Sequence, residues 1–116
     1  FGHPLNFVPL RGDFTRGILA SVYLRSELSG QAARDLYAEY YAEEPFTHLV
    51  ATNPHLKQVV NTNKGLVQVE KHRDKLHVVS VIDNLLKGAS GQAVQNMNLM
   101  MGLEETTGLQ LKPIAF

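Results

Sequence analysis

Between residues 18 and 24, Ile18, Ala20, Val22 and Leu24 fall on one face of an extended segment, with Leu19, Ser21 and Tyr23 on the other. Alternation of period two predicts a strand, apolar on one face and mixed on its back. Ahead of it, FVPLRGDFTRG scatters two glycines and a proline among apolar residues, which predicts a short strand or extended arm ending in a turn near Gly12 and Asp13. The period then lengthens. In SELSGQAARDLYAEYYAEEPF, Ala33, Leu36, Tyr37, Tyr40 and Tyr41 recur at helical spacing, Ser29 stands where an N-cap belongs, and Pro45 marks the stop. FTHLV predicts a short strand. ATNPHLKQVVNTNKG is polar and turn-rich and predicts a long connection with room for one brief strand. LVQVE and LHVVSVI return to strand patterning, and the charged KHRDK between them suits a five-residue hairpin loop. From Ser90 a helical stripe of Ala93, Val94, Met97, Met100 and Met101 runs to Gly102, a natural left-handed cap, and methionines so spaced are ordinarily core. The tail TTGLQLKPIAF predicts an edge strand or a segment packed across the surface.

Strands outnumber helices and hairpin-length links dominate over strand–helix alternation. The predicted class is therefore α+β, a largely antiparallel sheet with helices on one face.

Composition narrows the function classes. The 116 residues, 44% of them hydrophobic, suit a single domain with one real core. Eleven basic and eleven acidic residues cancel, and no run of five like charges occurs, so neither nucleic acid nor a membrane surface is indicated as partner. Apolar stretches fall short of the roughly 18 residues a span needs, and no signal-peptide profile opens the chain, which reads as cytosolic. With no cysteine there is no thiolate metal site and no thiol nucleophile within these residues. The opening FGHPLNFVPL, without an initiator methionine, is expected to continue a longer protein.

Candidate chemistry is sparse. His72 and His77 stand five apart, and an odd separation on a regular strand points them to opposite faces; His3, His48 and His55 lack ligand spacing. The reading is surface or capping histidines and no metal. Arg11, Asp13 and Arg16 cluster at the turn before the first strand, where a guanidinium could hold a carboxylate or phosphate, or simply a turn salt bridge. The pairs Glu43, Glu44 and Glu104, Glu105 read as solvated helix ends, and no Ser-His-Asp arrangement is identifiable. KGASG is more specific: glycines admit close approach, and the first amides of the helix beginning near Ser90 would offer free donors to a phosphate, carboxamide or carboxylate. It matches neither GxGxxG nor the Walker pattern, and a helix cap in a tight turn explains it equally well.

FTRGILASVY, YYAEEPF, VNTNKG and above all VVSVIDNLLKGASGQAVQNMNLMMGLEETTGL resemble, in order and over residues 7–109, the C-terminal part of N-acetyl-gamma-glutamyl-phosphate reductases. That resemblance implies an NADPH-dependent enzyme of arginine biosynthesis that turns an acyl phosphate into a semialdehyde. A cysteine thiolate displaces phosphate, hydride reduces the thioester, and a histidine serves as acid and base. It implies a Rossmann domain of the same protein as partner and an α+β domain that carries the dimer contact, hence a homo-oligomer; this chain is similar to the second half of that α+β domain. It places substrate binding at Arg16. It places cofactor binding, to NADP, at Asn84, Lys87, Gly88, Ala89, Ser90, Gly91 and Gln92, with Gln95 alongside; related semialdehyde dehydrogenases have a similar KGA loop with asparagine in the place of Gln92.

Departures limit the transfer. The family's nucleophilic cysteine lies upstream of Phe1, and His3 followed by Pro4 is not its His-Arg-His-x-Pro-Glu-Ile motif, so no catalytic residue is assigned and the chain alone is expected to be inactive. VPLR stands where the family commonly has Thr-Pro-His-Leu, which removes expected substrate contacts from that arm. Two other readings fit less well: the carrier-protein-linked aminoadipyl phosphate reductase of lysine biosynthesis, and a non-catalytic dimerisation module.

Overall fold

A computed structural model describes residues 2 and 4–113; His3 and the last three residues of the tail lie outside the described residues. Four strands form one sheet: β1 (Ile18–Arg25), β2 (Thr47–Leu49), β3 (Gly65–His72) and β4 (Lys75–Ile82), ordered β1-β4-β3-β2. The β1–β4 and β4–β3 pairs are antiparallel and the short β2 runs parallel to β3, so the sheet is largely antiparallel and the α+β class holds.

The helix α1 (Gly30–Tyr40) begins where Ser29 caps it, its hydroxyl accepting from the Ala32 amide at 3.0 Å. It buries Ala33 and half-buries Tyr37 against Val67, Val69 and Leu76. Leu36 and Tyr40, on the predicted stripe, stay exposed because the sheet meets a narrower strip of this helix. On the opposite face Leu66 and Val81 pack against Val59, with Leu56 and Val50 beside them. The connection over residues 51–64 thus supplies Val59 and Leu56 to this second core cluster. It holds no strand, only a 3-10 turn (Leu56–Gln58), and Val59, Val60, Thr62 and Asn63 are all buried. Its polar side chains serve its own backbone: the Thr62 hydroxyl donates to the Val59 carbonyl at 2.7 Å and accepts from the Lys64 amide at 3.1 Å.

Two further expectations are corrected. The β3–β4 hairpin turns on Arg73 and Asp74 alone, with His72 paired to Lys75 and Arg73 at φ 54°. Charged side chains at a sheet end reach solvent without leaving the ladder, so Lys71, His72 and Lys75 remain in strands. The arm over residues 4–12 forms no strand, and its apolar Leu5, Phe7, Val8 and Leu10 are exposed.

The second α-helix, α2 (Gly91–Met100), stands beyond the end of β4 and buries Gly91, Gln95 and Asn98. Met97, Met100 and Met101, expected in the core, are outside. The reason is what lies beneath the helix: Asn98 Nδ2 donates to the carbonyls of Glu105 and Thr107, both at 3.0 Å, so the inner face meets bare loop carbonyls and has to be polar. No helix among the described residues is long and apolar enough to cross a membrane.

Candidate functional site

The strand β4 delivers Asp83 into full burial. Its Oδ1 accepts from the amides of Leu85 at 2.8 Å and Leu86 at 2.9 Å, the turn that an aspartate two residues ahead of a bend favours. Oδ2 accepts from the Asn61 amide at 2.7 Å, presented by a residue at φ 64°. Arg16 completes the set: Nη2 donates to Oδ1 at 2.8 Å and Nε lies 2.8 Å from Oδ2. Burial by itself would raise the Asp83 carboxyl, but the Arg16 hydrogen bond and the amides of Asn61, Leu86 and Leu85 together outweigh it and hold the group below its ordinary range. A buried charge is tolerable here because it is both paired and hydrogen-bonded.

Beside this pair, the Gly17 amide donates to Asn84 Oδ1 at 2.6 Å. Gly17 sits at φ 118°, a conformation that favours glycine, and a Cβ there would also press on the end of the Leu56 side chain, 2.8 Å from its Cδ2. The entrance of β1, the exit of β4 and the buried connection are therefore bound at one point. Arg16 takes its partner from residue 83, 67 positions away, and not from neighbouring Asp13 as a turn salt bridge would. Both Nε and Nη2 of the planar guanidinium face Asp83.

The KGASG segment departs from the expected open helix mouth. Residues Leu86–Ser90 form a π-helical turn that runs straight into α2, and Ser90 is helical with no capping hydrogen bond. The amides are engaged: Gly88 donates to the Asp83 carbonyl at 2.9 Å, Ser90 to Leu85 at 3.0 Å, and Gly91 to Leu86. The Ser90 hydroxyl also donates to the Leu85 carbonyl, at 2.8 Å. Three of the segment's amides are thus taken up internally. Gly91 instead permits close packing, since a Cβ on it would fall 1.6 Å from Asn63 Oδ1. Asn63 is itself buried and donates through Nδ2 to the Leu109 carbonyl at 2.8 Å.

Among the residues expected to meet a cofactor, Gly88, Ala89 and Ser90 are exposed, while Asn84, Lys87 and Gln92 are half-buried. Lys87 Nζ donates to Gln95 Oε1 at 3.0 Å, Gln95 Nε2 donates to Glu105 Oε1 at 2.5 Å, and the ammonium lies 5.8 Å from the centre of the Phe46 ring. Burial pushes the Lys87 ammonium below the usual lysine value, against Glu44 and Glu105, which pull it up. Glu105, expected to be plain solvated surface, anchors this chain of contacts.

Asp83 was not anticipated as the hub. The signal was present: an acidic residue ending an apolar strand, followed by Asn-Leu-Leu in the segment that carries the resemblance. The histidines also need correction, for Glu70, His72 and His77 share one face of the sheet, each offering an atom within 4.8 Å of the others. An odd separation along one strand changes face, but a two-residue hairpin folds His72 and His77 back onto the same side.

Fold and site together define a class. Residues 2–84 match the family model described as semialdehyde dehydrogenase, dimerisation domain, and the chain belongs to that family. More particularly, the whole chain is 58% identical to the N-acetyl-gamma-glutamyl-phosphate reductase of Phocaeicola vulgatus and 57% identical to that of Bacteroides thetaiotaomicron. It is 52% identical to that of Flavobacterium johnsoniae. In each case it spans 36% of the relative's length.

Proposed function

We propose that this chain is part of the catalytic and dimerisation domain of an N-acetyl-gamma-glutamyl-phosphate reductase, which reduces the acyl phosphate to N-acetylglutamate semialdehyde with NADPH and releases phosphate in the cytoplasm. The observation that carries this reading is the knot at Asp83. FTRGIL supplies Arg16 and Gly17, VNTNKG supplies Asn61, and IDNLLKG supplies Asp83 and Asn84, so the segments that mark the family in sequence are the ones that meet in space. NADPH would supply hydride to the reacting carbon. This chain's part is to hold the Nη1 edge of Arg16 toward a substrate carboxylate or phosphate, and to present Asn84 and Gln92 to the cofactor's carboxamide end beside Lys87. Nucleophile and acid–base groups come from outside these residues, there being no cysteine here.

Homo-oligomerisation follows the family and has a surface to use. Both faces of β1 are exposed along its whole length, apolar Ile18, Leu19, Val22 and Leu24 included. Val22→Asp is expected to shift the full-length subunit from dimer toward monomer at micromolar concentration, read by sedimentation, with its far-ultraviolet circular dichroism retained.

The reading is tested by NADPH oxidation in the full-length subunit with three substrates: N-acetyl-gamma-glutamyl phosphate, carrier-linked aminoadipyl phosphate, and none. Turnover of the first is expected. Preference for the second would mark the lysine-route reductase, and turnover of neither a non-catalytic module.

A further inference from the structure

At the hairpin end of the sheet, on the face away from α1, three metal-ligating side chains converge. Glu70 and His77 are directly paired across β3 and β4, and His72 stands one pair further out, opposite Lys75. Glu70 Oε2 and His72 Nε2 are already 3.1 Å apart, and one nitrogen of each ring and one carboxylate oxygen lie within 4.8 Å of one another. Ligands on a tetrahedral ion at about 2.0–2.2 Å stand about 3.4 Å apart, so closure asks for about 1–1.5 Å of side-chain movement and none of the backbone. Two imidazoles and one carboxylate, with an open fourth position, are a donor set suited to zinc and its neighbours.

Two of the three donors, Glu70 and His77, are also held by neighbouring side chains. The buried Gln68 donates through Nε2 to Glu70 Oε1 at 2.7 Å, which leaves Oε2 to face the histidines. Ser21 Oγ lies 2.8 Å from His77 Nε2, and the Tyr23 ring stacks on the imidazole with centroids 4.3 Å apart and planes 3° from parallel. Such outer contacts, which fix ring and carboxylate orientation, accompany metal ligands as a rule. Lys75 and Arg25 share the face by register and oppose a cation, which limits the affinity to a moderate one. From His77 to Asp83 the chain advances six steps with five residues between, about 20 Å, so the cluster stands apart from the Arg16–Asp83 site.

We propose that Glu70, His72 and His77 bind one divalent transition-metal cation of the zinc class at the β3–β4 hairpin, apart from the Arg16–Asp83 pair, and that the ion braces this end of the sheet. The test is calorimetric titration of the full chain with zinc chloride at pH 7.5, repeated with His72→Ala, Glu70→Gln and His77→Ala and with the control His48→Ala. His72 and Glu70 are substantially exposed, so their variants fold even if His77→Ala does not. One equivalent is expected to bind in the micromolar range, with affinity falling at least about tenfold in His72→Ala and in Glu70→Gln and unchanged in His48→Ala. Cobalt substituted for zinc should give the intense visible absorption of a four-coordinate ion. Absence of saturable zinc binding below millimolar, or undiminished affinity in either His72→Ala or Glu70→Gln, would overturn the proposal.

Discussion

Asp83→Ala is expected to lower the unfolding free energy by about 3–5 kcal/mol, the usual cost of removing one partner from a buried ion pair. The substitution strands the Arg16 guanidinium, removes the acceptor of the Asn61, Leu85 and Leu86 amides, and unties β1 from β4 at their closed ends. Against a total stability of about 5–15 kcal/mol this is a large fraction. Asp83→Asn keeps the shape and one carbonyl acceptor and should lose less. The pH dependence follows from the lowered carboxyl: the unfolded chain titrates near 3.8, so Asp83's stabilisation is complete above that value and is lost as pH falls through the lower folded value. Urea unfolding of wild type and Asp83→Asn should therefore differ most near neutral pH and converge on acidification below about pH 4.

Gly91→Val is the second large effect. A Cβ 1.6 Å from Asn63 Oδ1, 2.7 Å from its Cγ and 2.9 Å from the Leu86 carbonyl cannot be absorbed by rotating a surface side chain, for Asn63 is buried and bonded to Leu109. Overpacking and a lost buried hydrogen bond together are expected to cost about 3–5 kcal/mol. Gly91→Ala should fall in the same direction by less, and Asn63→Ala should partly restore Gly91→Ala by vacating the space. Thermal melts of the four variants measure this coupling. A Gly91→Val subunit with normal melting but a raised KM for NADPH would return the glycine to a ligand-facing role.

Much of the fold was legible from local pattern. Period-two patterning marked β1, the β-branched run LHVVSVI marked β4, Ser29 and Pro45 bracketed α1, and the DNLLKGASGQ segment pointed to the right family. What escaped depends on partners distant in sequence. The methionine stripe of α2 read as core because amphipathicity tells which side is apolar and not which side a neighbour covers; the loop carbonyls of Glu105 and Thr107 drew Asn98 inward instead. Arg16 looked like a member of a local turn because its partner is 67 residues on. The 51–64 connection read as a polar, turn-rich link with room for a brief strand, yet it holds none, and Thr62 and Asn63 are buried with their hydrogen bonds made internally. The histidine pair turned on one detail, a hairpin of two residues where five were expected.

On the proposed reading Arg16 links the knot to chemistry, and Arg16→Lys separates support from function: lysine keeps the charge beside Asp83 but cannot face the carboxylate and a second anion at once through a planar fork. Steady-state kinetics of the full-length Arg16→Lys subunit are predicted to show the KM for N-acetyl-gamma-glutamyl phosphate raised about tenfold, the loss of roughly 1.4 kcal/mol of binding, with the KM for NADPH unchanged. An unchanged acyl phosphate KM, with only a lowered melting temperature, would contradict the account and leave Arg16 as a purely structural partner of Asp83.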